Sequence, residues 1–375
     1  MDKQEFIKKL KSSETIVIKI GSAVVSKDNS IDFAILKSIV SDVVYLVEEL
    51  SKNVVIVSSG AVAGGMGVMG IKKRPDNIVH QQALASIGQP VLMDTYGKFF
   101  KDFRRTVSQV LITIDDIQNR RRFINAKNSL NTLLKWNIIP IVNENDTVVV
   151  KELKIGDNDN LSSYIVNLVE ADALIILTNV DGVYNKNPRF KDAKIIECIN
   201  SKNKDDFDDL EGVGNLGSGG IKSKIESGLK VARMGKLAVV INGKKEHSIR
   251  DVFTDCNFPK TVFEPFNLPV TSKKSWIENC STSGVVVIDN GAVKSIKHSK
   301  SLLASGIDKV YGTFGRGDII NIESGEGTLI AKGVTNYDSL EIEKIKKRHS
   351  SDITEILGYK YSNDVVHINN MIVFE

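Results

Sequence analysis

Two lysines of this chain stand beside segments that could bind phosphate. Lys19 lies near the end of the apolar run Ile16 to Ile20 and precedes a glycine–serine turn. Lys224 follows the glycines of Gly217 to Gly220, close to the start of a pattern with helical spacing. Glycines let backbone N–H groups approach phosphate oxygens, a helix N-terminus favours anions, and a lysine adds a movable positive charge. Both segments predict phosphate contacts, with a surface lysine beside a flexible turn as the alternative.

Neither lysine belongs to a Walker A motif, because the GxxxxGK[ST] spacing is absent from the chain. A second small-residue segment, Ser58 to Gly65, follows the apolar run Val54 to Val57. Gly65 to Gly70 spells GxGxxG, but a dinucleotide fingerprint should begin directly after the strand, and here seven residues intervene. We favour a loop that a substrate can approach closely, with a plain flexible turn as the alternative.

Acids and amides are concentrated in two further segments, Asn143 to Thr147 and Gly156 to Leu161. Such side chains at a strand end or helix start can hold an ammonium group, orient lysines or reach a metal. A calcium loop is excluded, because Leu161 and Ser162 stand where a ligand and a glycine are required. A capped turn into a helix from Leu161 to Val169 is the alternative for the second segment.

The elements that position these residues follow from apolar runs separated by helical spacing, between Thr15 and about Gly243. Strands buried on both faces read as continuous apolar runs, so we predict an α/β fold with a mainly parallel central sheet flanked by helices. Helices are predicted at Phe33 to Leu50, with Asp32 as N-cap, and at Arg121 to Trp136. Ligands should lie at the carboxyl ends of the strands. The predicted strands are Ile16 to Ile20, Val54 to Val57, Val110 to Thr113, Ile138 to Val142, Leu174 to Thr178 and Leu237 to Ile241.

The pattern changes beyond about Pro269 to short strand-like runs broken by Gly, Ser and Asn. We therefore predict two domains, residues 1–268 and residues 269–375, the second small and β-rich with a short helix at Ser351 to Leu357. The proline-containing stretch Val252 to Ser275 is the predicted linker region. The strand-like runs are Val285 to Asp289, Val310 to Phe314, Asp318 to Ile322 and Thr328 to Ala331.

Composition excludes several classes of protein. The 375 residues are 42% hydrophobic and 26% charged, which argues against disordered, collagenous and disulfide-rich chains. With 50 Lys and Arg against 46 Asp and Glu, the net charge of +4 does not by itself indicate nucleic acid or a membrane surface. The three cysteines form no CxxC pair, and neither a signal sequence nor a spanning run of ~18 apolar residues is present. We expect a cytoplasmic protein.

Taken together and in order, the polar segments resemble the amino acid kinase family, in its branch that phosphorylates L-glutamate. The region Gly284 to His367 in turn resembles the PUA domain that many bacterial members of this branch carry. Each motif alone is weak, whereas the combination is specific. The kinase segments are Lys19 to Ser22, Val57 to Ala61, Gln82 to Gln89, Asn143 to Asp146, Gly156 to Asn160, Leu177 to Thr178 and Gly219 to Lys224. The PUA segments are Asp289 to Ala292, Ser301 to Leu303, Gly315 to Asp318 and Leu357 to Tyr359.

The resemblance implies transfer of the γ-phosphoryl group of ATP to the side-chain carboxylate of L-glutamate, giving L-glutamyl 5-phosphate, the first step of proline biosynthesis. It implies that Lys19, Lys224 and Asp159 are catalytic, with Asp159 holding the two ammonium groups. It assigns L-glutamate to Ser59, Asp146 and Asn158. No residue is assigned as a metal ligand, and Mg²⁺ is expected to bridge the phosphates. ATP contacts are assigned to Lys19, Thr178, Asn179, Ser218, Gly219, Gly220, Ile221, Lys222, Ser223 and Lys224.

The chain departs from the family pattern at three positions. Many relatives have Thr at Ser218, Met at Ile221 and Asp at Asn179. The first two changes keep a hydroxyl and an apolar side chain, respectively. Asn179 removes a negative charge near the expected nucleotide.

The resemblance also implies partners and leaves alternatives. We expect proline as a feedback inhibitor, a homo-oligomer (dimer or tetramer) and a next-step reductase as a separate chain. Alternatives are another kinase of the family, acting on aspartate, acetylglutamate or a nucleoside monophosphate, or RNA binding through the PUA-like domain. The basic run Lys344 to His349 would serve the RNA hypothesis, although a solvated face explains it as well.

Overall fold

The computed structural model describes residues 1–148, 158–200, 220–267 and 271–374. The chain divides into two compact units, Met1–Pro269 and Val270–Glu375. In these described ranges, no helix combines the length and apolar character needed to cross a membrane.

The first unit is organised around a large sheet, to which eight strands contribute in the described part of the chain. The strands of this unit are β1 (Thr15–Ile20), β2 (Ser26–Lys27), β3 (Ser30–Ile31), β4 (Asn53–Ser58), β5 (Val107–Ile112), β6 (Ile139–Glu144), β7 (Ala173–Thr178), β8 (Cys198–Ile199), β9 (Leu237–Asn242) and β10 (Thr261–Phe263). Their order in the sheet is β5-β6-β4-β1-β7-β9-β10-β8, and β2 pairs with β3 separately. The six strands β5-β6-β4-β1-β7-β9 run parallel to one another, and β10 is antiparallel to β9.

Burial of the central strands explains why they read as unbroken apolar runs. All residues of β6 and β7 are buried, as are all but the first of β1. Side chains that alternate between the two faces are all apolar when both faces are covered by helices. The predicted α/β fold with a mainly parallel sheet is confirmed.

Helices cover both faces of this sheet, and side-chain caps define where some of them begin. Asp32 caps α3 by accepting a hydrogen bond from the Ile35 N–H, and Asn119 caps α7. The predicted helices match these two closely, whereas α8 begins three residues before its predicted start. The helices are α1 (Lys3–Ser12), α2 (Ser22–Val25), α3 (Phe33–Glu48), α4 (Ala61–Met69), α5 (Ile78–Asp102), α6 (Ile114–Gln118), α7 (Arg120–Lys135), α8 (Asn158–Val169), α9 (Ile221–Arg233) and α10 (Ser248–Thr254).

The glycine-rich segment after β4 is a helix, so the prediction of a loop there is wrong. Its glycines serve helix packing: a Cβ on Gly65 would lie 2.0 Å from the Leu84 carbonyl oxygen. A Cβ on Gly88 of α5 would lie 1.9 Å from the Ala61 carbonyl oxygen. Glycine is required because the two helix backbones touch.

The second unit contains a five-stranded sheet in its described residues, ordered β12-β11-β13-β14-β15. Its β-rich character was predicted, but α11, α12 and α13 were not. The linker prediction for Val252 to Ser275 is also wrong in part, because β10 pairs with β9 in the main sheet and α11 begins at Ser272. The elements are α11 (Ser272–Asn279), β11 (Gly284–Ile288), α12 (Asn290–Lys297), β12 (Ile307–Tyr311), β13 (Ile319–Ser324), β14 (Leu329–Val334), α13 (Ser339–Ile345), α14 (Ile353–Leu357) and β15 (Met371–Val373).

The contact between α4 and α5 gives a test of packing. Gly88→Ala should lower the free energy of unfolding by about 3 kcal/mol or more, because the methyl group overlaps backbone atoms that cannot move aside. Gly97→Ala is the matched control on the same helix, since no atom lies within 4 Å of its added Cβ. It should raise the free energy by up to about 1 kcal/mol through helix propensity. Urea unfolding measures both, and equal effects would contradict the packing argument.

Candidate active site

Parallel pairing brings the polar segments to one edge of the sheet. In the register, Lys19 lies opposite Val57 of β4 and Ile20 lies opposite Leu177 of β7. The chain leaves β1, β4, β6 and β7 at the same edge, where crossovers begin. Lys19 is therefore surrounded by segments that are remote in sequence.

Asp159 lies between two lysines at this edge. Its Oδ1 forms an ion pair with Lys19 Nζ, and its Oδ2 lies 3.0 Å from Lys224 Nζ. Ser223 Oγ donates a further hydrogen bond of 2.7 Å to Oδ2. Asp159 is 0% and Lys19 1% exposed, whereas the Lys224 side chain is 12% exposed. The structure thus brings together the three residues for which the resemblance implied a catalytic role.

The Asp159 carboxyl is held in its charged form. Burial alone would raise its pKa, but the positive charges of Lys19 and Lys224 and the hydrogen bonds from Lys19 and Ser223 outweigh burial. The pKa is therefore held far below its usual range. Asp159 also lies in the first turn of α8, where the helix dipole favours a negative charge.

Asn158, next to this ion-pair cluster, connects the ends of two strands, β4 and β6. Its Nδ2 donates to Ser59 Oγ at 2.9 Å, to the Ser58 carbonyl oxygen at 2.8 Å and to Asn143 Oδ1 at 3.0 Å. Ser58 Oγ in turn lies 2.8 Å from the Tyr96 hydroxyl, whose pKa is raised by burial. The Ser59 and Asn158 side chains, both assigned to L-glutamate by the resemblance, are in direct contact.

Asp146, the third residue assigned to the substrate, lines a separate cavity of about 210 Å³. The same cavity is lined by Glu144, by Ala61 of α4 and by Gln89 of α5. Asn143 links this cavity to the Asn158 cluster, because its Nδ2 donates to Gln89 Oε1 at 2.9 Å. A cavity with carboxylates on its wall suits a small cationic group such as an ammonium.

The residues assigned to ATP are only partly in contact with the lysine cluster. Gly220 N-caps α9, and Ser223 Oγ donates to its carbonyl oxygen at 2.9 Å as well as to Asp159. Thr178 is buried at the end of β7, and the neighbouring Asn179 is exposed. Ile221 is half-buried and Lys222 exposed, at the start of α9. Ser218 and Gly219 lie outside the described residues, as do Gly156 and Asp157 of the second acidic segment.

The donor set of the site does not form a metal cage. In the described ranges, no group of three or more His, Cys, Asp or Glu side chains could hold a metal ion. Both carboxylate oxygens of Asp159 face lysine ammonium groups. This arrangement fits a Mg²⁺ ion that is held by phosphates and water, as is usual for this ion.

Two features of the site escaped the residue-by-residue assignment. The family resemblance assigned no role to Asn143 or Gln89, although their hydrogen bonds connect Asn158 to the cavity. Ser223 was assigned to ATP, whereas its described hydrogen bonds orient the Asp159 carboxylate. The amide-rich motif at the end of β6 indicated a polar site in the sequence. It could not indicate the hydrogen-bond partners, because these lie on α5 and α8.

Comparisons with known proteins agree with this geometry. The family model described as the amino acid kinase family matches residues 14–242, and that of the PUA domain matches residues 284–357. A glutamate 5-kinase of Caldanaerobacter subterraneus subsp. tengcongensis is 40% identical over 365 residues, covering 96% of this chain and 98% of its own length. A glutamate 5-kinase of Citrifermentans bemidjiense is 40% identical over 376 residues, covering 99% and 100%.

Similarity to solved structures is weaker. The substrate complex of an isopentenyl phosphate kinase superposes with a TM-score of 0.49 at 18% identity, over 67% of this chain and 100% of that one. The chain belongs to the amino acid kinase family and carries a PUA domain. Within that family it groups with the glutamate 5-kinases, its relatives over nearly the full length. The resemblance drawn from the sequence motifs is confirmed.

The basic run of the PUA domain is partly neutralised. Lys346 forms an ion pair with Glu343, and Lys347 Nζ lies 3.0 Å from the Asp308 carboxylate. Charges that are paired with acids contribute less to binding a phosphate backbone. RNA binding through this run stays a hypothesis that these contacts do not favour.

The ion-pair cluster gives a test that depends on pH. Asp159→Asn should lower the free energy of unfolding at about pH 7 by about 3 kcal/mol or more, since it leaves two ammonium groups without their counterion. A carboxyl with a lowered pKa stabilises the fold above its unfolded pKa of about 3.9, and this contribution is lost as the pH falls. The difference between wild type and variant should therefore be constant near neutral pH and shrink below about pH 4.

Urea unfolding at a series of pH values measures this difference. Asp172→Asn is the control, because Asp172 also has a lowered pKa but is half-exposed and pairs with Lys236 at the opposite edge of the sheet. The Glu14 and Thr15 N–H groups also donate to its carboxylate, and the amide oxygen of the variant can still accept from them. Its effect should be under about 1 kcal/mol. A difference for Asp159→Asn that stays unchanged down to about pH 3 would contradict the assignment.

Proposed function

We propose that this chain transfers the γ-phosphoryl group of ATP to the side-chain carboxylate of L-glutamate, giving L-glutamyl 5-phosphate. The observation that carries the proposal is the buried Asp159 carboxylate between the Lys19 and Lys224 ammonium groups, at the carboxyl edge of a parallel sheet. The choice of L-glutamate is supported by the glutamate 5-kinases to which the chain is 40% identical. The product enters proline biosynthesis.

The reaction requires positioning rather than a general base. A carboxylate is already a nucleophile at neutral pH, so no proton has to be removed before it attacks phosphorus. The barrier lies in bringing two anions together and in the charge that develops on the transferring group. Fixed positive groups that need not reorganise lower this barrier, each by about 3 kcal/mol in comparable sites.

Each member of the ion-pair cluster has a distinct role in this proposal. Lys19, on β1, contacts the transferring phosphoryl group from the side of the nucleophile. Lys224, on α9, contacts it from the side of the nucleotide. Asp159 is a positioning residue: its two oxygens fix the two ammonium groups on separate elements at a defined spacing. Each ammonium group has three N–H donors, so its contact with Asp159 leaves donors for the phosphoryl group.

L-glutamate is bound by polar groups on the other side of Lys19. Asn158 and Ser59, which contact each other at 2.9 Å, lie next to the ion-pair cluster and suit the reacting end of the substrate. Asp146, on the wall of the cavity, suits the substrate ammonium. The network of amides between them places the reacting carboxylate and the ammonium of one molecule at separate subsites.

ATP is bound from the side of α9. Thr178 and Asn179 provide contacts at the end of β7. The phosphates are assigned to residues 218–224, of which Gly220 to Lys224 form the N-cap and the start of α9. Magnesium, for which no described residue is assigned as a ligand, would supply additional neutralisation of negative charge when it is bound with the phosphates. The uncharged Asn179, where many relatives have Asp, leaves the nucleotide subsite with one negative charge fewer.

The remaining partners follow from the same family relationship. We assign catalysis to residues 1–268 and a PUA domain to residues 269–375 with the preceding linker. Feedback inhibition by proline, a homo-oligomer (dimer or tetramer) and a separate reductase that consumes the labile acyl phosphate complete the proposal.

A hydroxylamine trap tests the reaction. With ATP, magnesium and L-glutamate, the purified protein should form ADP and glutamyl hydroxamate in equal amounts. Lys19→Ala and Lys224→Ala should each lower kcat by roughly 100-fold or more, since each removes one fixed charge from the transition state.

Lys236→Ala is the matched control for these variants. It removes a lysine that also pairs with an aspartate, at 3.1 Å, but at the amino end of the strands. Its kcat should stay within about twofold of wild type, as for a surface ion pair. ADP formation that needs a different acid would refute L-glutamate as the substrate while leaving the kinase assignment intact.

A further inference from the structure

Gln89 carries a buried polar group that the mechanism above does not use. The residue is 9% exposed and lies on α5, directly after the glycine that contacts α4. Its Oε1 accepts the hydrogen bond from Asn143 Nδ2, which fixes the orientation of the amide. Its Nε2 is buried and has no hydrogen-bond partner among the residues that the structure describes.

An unsatisfied buried donor is costly in a folded protein, at about 1 to 3 kcal/mol, and is rare unless a ligand completes it. Gln89 lines the cavity of about 210 Å³ that Asp146 also lines. An amide with an unused donor and a carboxylate thus belong to two residues that line the same cavity. An α-amino acid carries a carboxylate, which needs a donor, and an ammonium group, which needs an anion, on the same carbon atom.

We infer that Gln89 is a substrate-binding residue whose Nε2 donates a hydrogen bond to the α-carboxylate of L-glutamate. The inference rests on the proposed function and adds to it the group that recognises the non-reacting end of the substrate. The ammonium and the α-carboxylate of L-glutamate share one carbon atom, so a group that binds the carboxylate must lie close to the group that binds the ammonium. Gln89 and Asp146 meet this requirement because both line the same cavity, whereas Lys19 and Lys224 do not line it.

The chemistry of Gln89 suits selection between similar acids. A site with a buried donor rejects ligands that lack the matching acceptor, because the donor is then left unpaired. The neutral amide also avoids adding a positive charge that would pair with Asp146 and block the ammonium subsite. Gln109 lines the same cavity, but it is exposed and can be satisfied by water.

Gln89→Glu is the informative substitution. It keeps the size of the side chain and an oxygen that can accept from Asn143, but it replaces the donor by a carboxylate. The test compares three ligands: L-glutamate, glutarate, which lacks the ammonium, and 4-aminobutanoate, which lacks the α-carboxylate. KM and kcat are measured for L-glutamate, and the other two are measured as competitive inhibitors.

The variant should raise KM for L-glutamate and the inhibition constant of glutarate at least about tenfold, the range expected for a hydrogen bond to a charged group. The inhibition constant of 4-aminobutanoate should stay the same or fall. KM for ATP should stay within about twofold, and kcat should change little, because the contact is equal in the ground state and the transition state. Gln81→Glu makes the same chemical change on the same helix outside the cavity and is the control.

Two results would overturn the inference. If all three ligands weaken together and kcat falls as well, Gln89 supports the site only through Asn143. If KM for L-glutamate changes less than about twofold, the α-carboxylate is bound elsewhere. Failure of the proposed function is distinguishable, because the wild-type protein would then form no glutamyl hydroxamate.

Discussion

The charge balance around Asp159 is the interaction on which the rest of the site depends. Two ammonium groups cannot be held near each other in a buried environment without an anion between them, because desolvation and mutual repulsion both act against it. Asp159 provides that anion, and its position in the first turn of α8 stabilises the charge further. Asp159 therefore holds Lys19 and Lys224, which lie on different elements, at the same edge of the sheet.

The strand order of the sheet makes this interaction achievable. β1 lies in the middle, so the carboxyl end of β1 is flanked by the ends of β4 and β7, and α8 begins beside them. Lys19, Asp159 and Lys224 are far apart in the chain, and each belongs to a different element. Crossover connections deliver all three to the same edge. A shift of any one of these three elements would therefore change the distances between the three charged groups.

The sequence was most informative where a single element determines the pattern. Continuous apolar runs predicted the central strands, and Asp32 predicted the start of α3, because burial and capping are local properties. Glycines were ambiguous: the segment after β4 suggested a loop, since nothing in the sequence indicates that Gly65 faces another helix. The sequence did not predict the short strand β10, which lies between prolines. This strand is defined by its pairing with β9, which is a tertiary contact.

The close contact between α4 and α5 also bears on the cavity that Asp146 lines. Gly88 meets the Ala61 carbonyl oxygen, while Ala61 itself and Gln89, the residue after Gly88, both line that cavity. Backbone atoms in contact have no rotamers to change, so a larger residue at this contact can be accommodated only if the helices move. The position of two cavity-lining residues, Ala61 and Gln89, therefore depends on a glycine. Any side chain at position 88 would push α4 and α5 apart and so move both residues on the wall of that cavity.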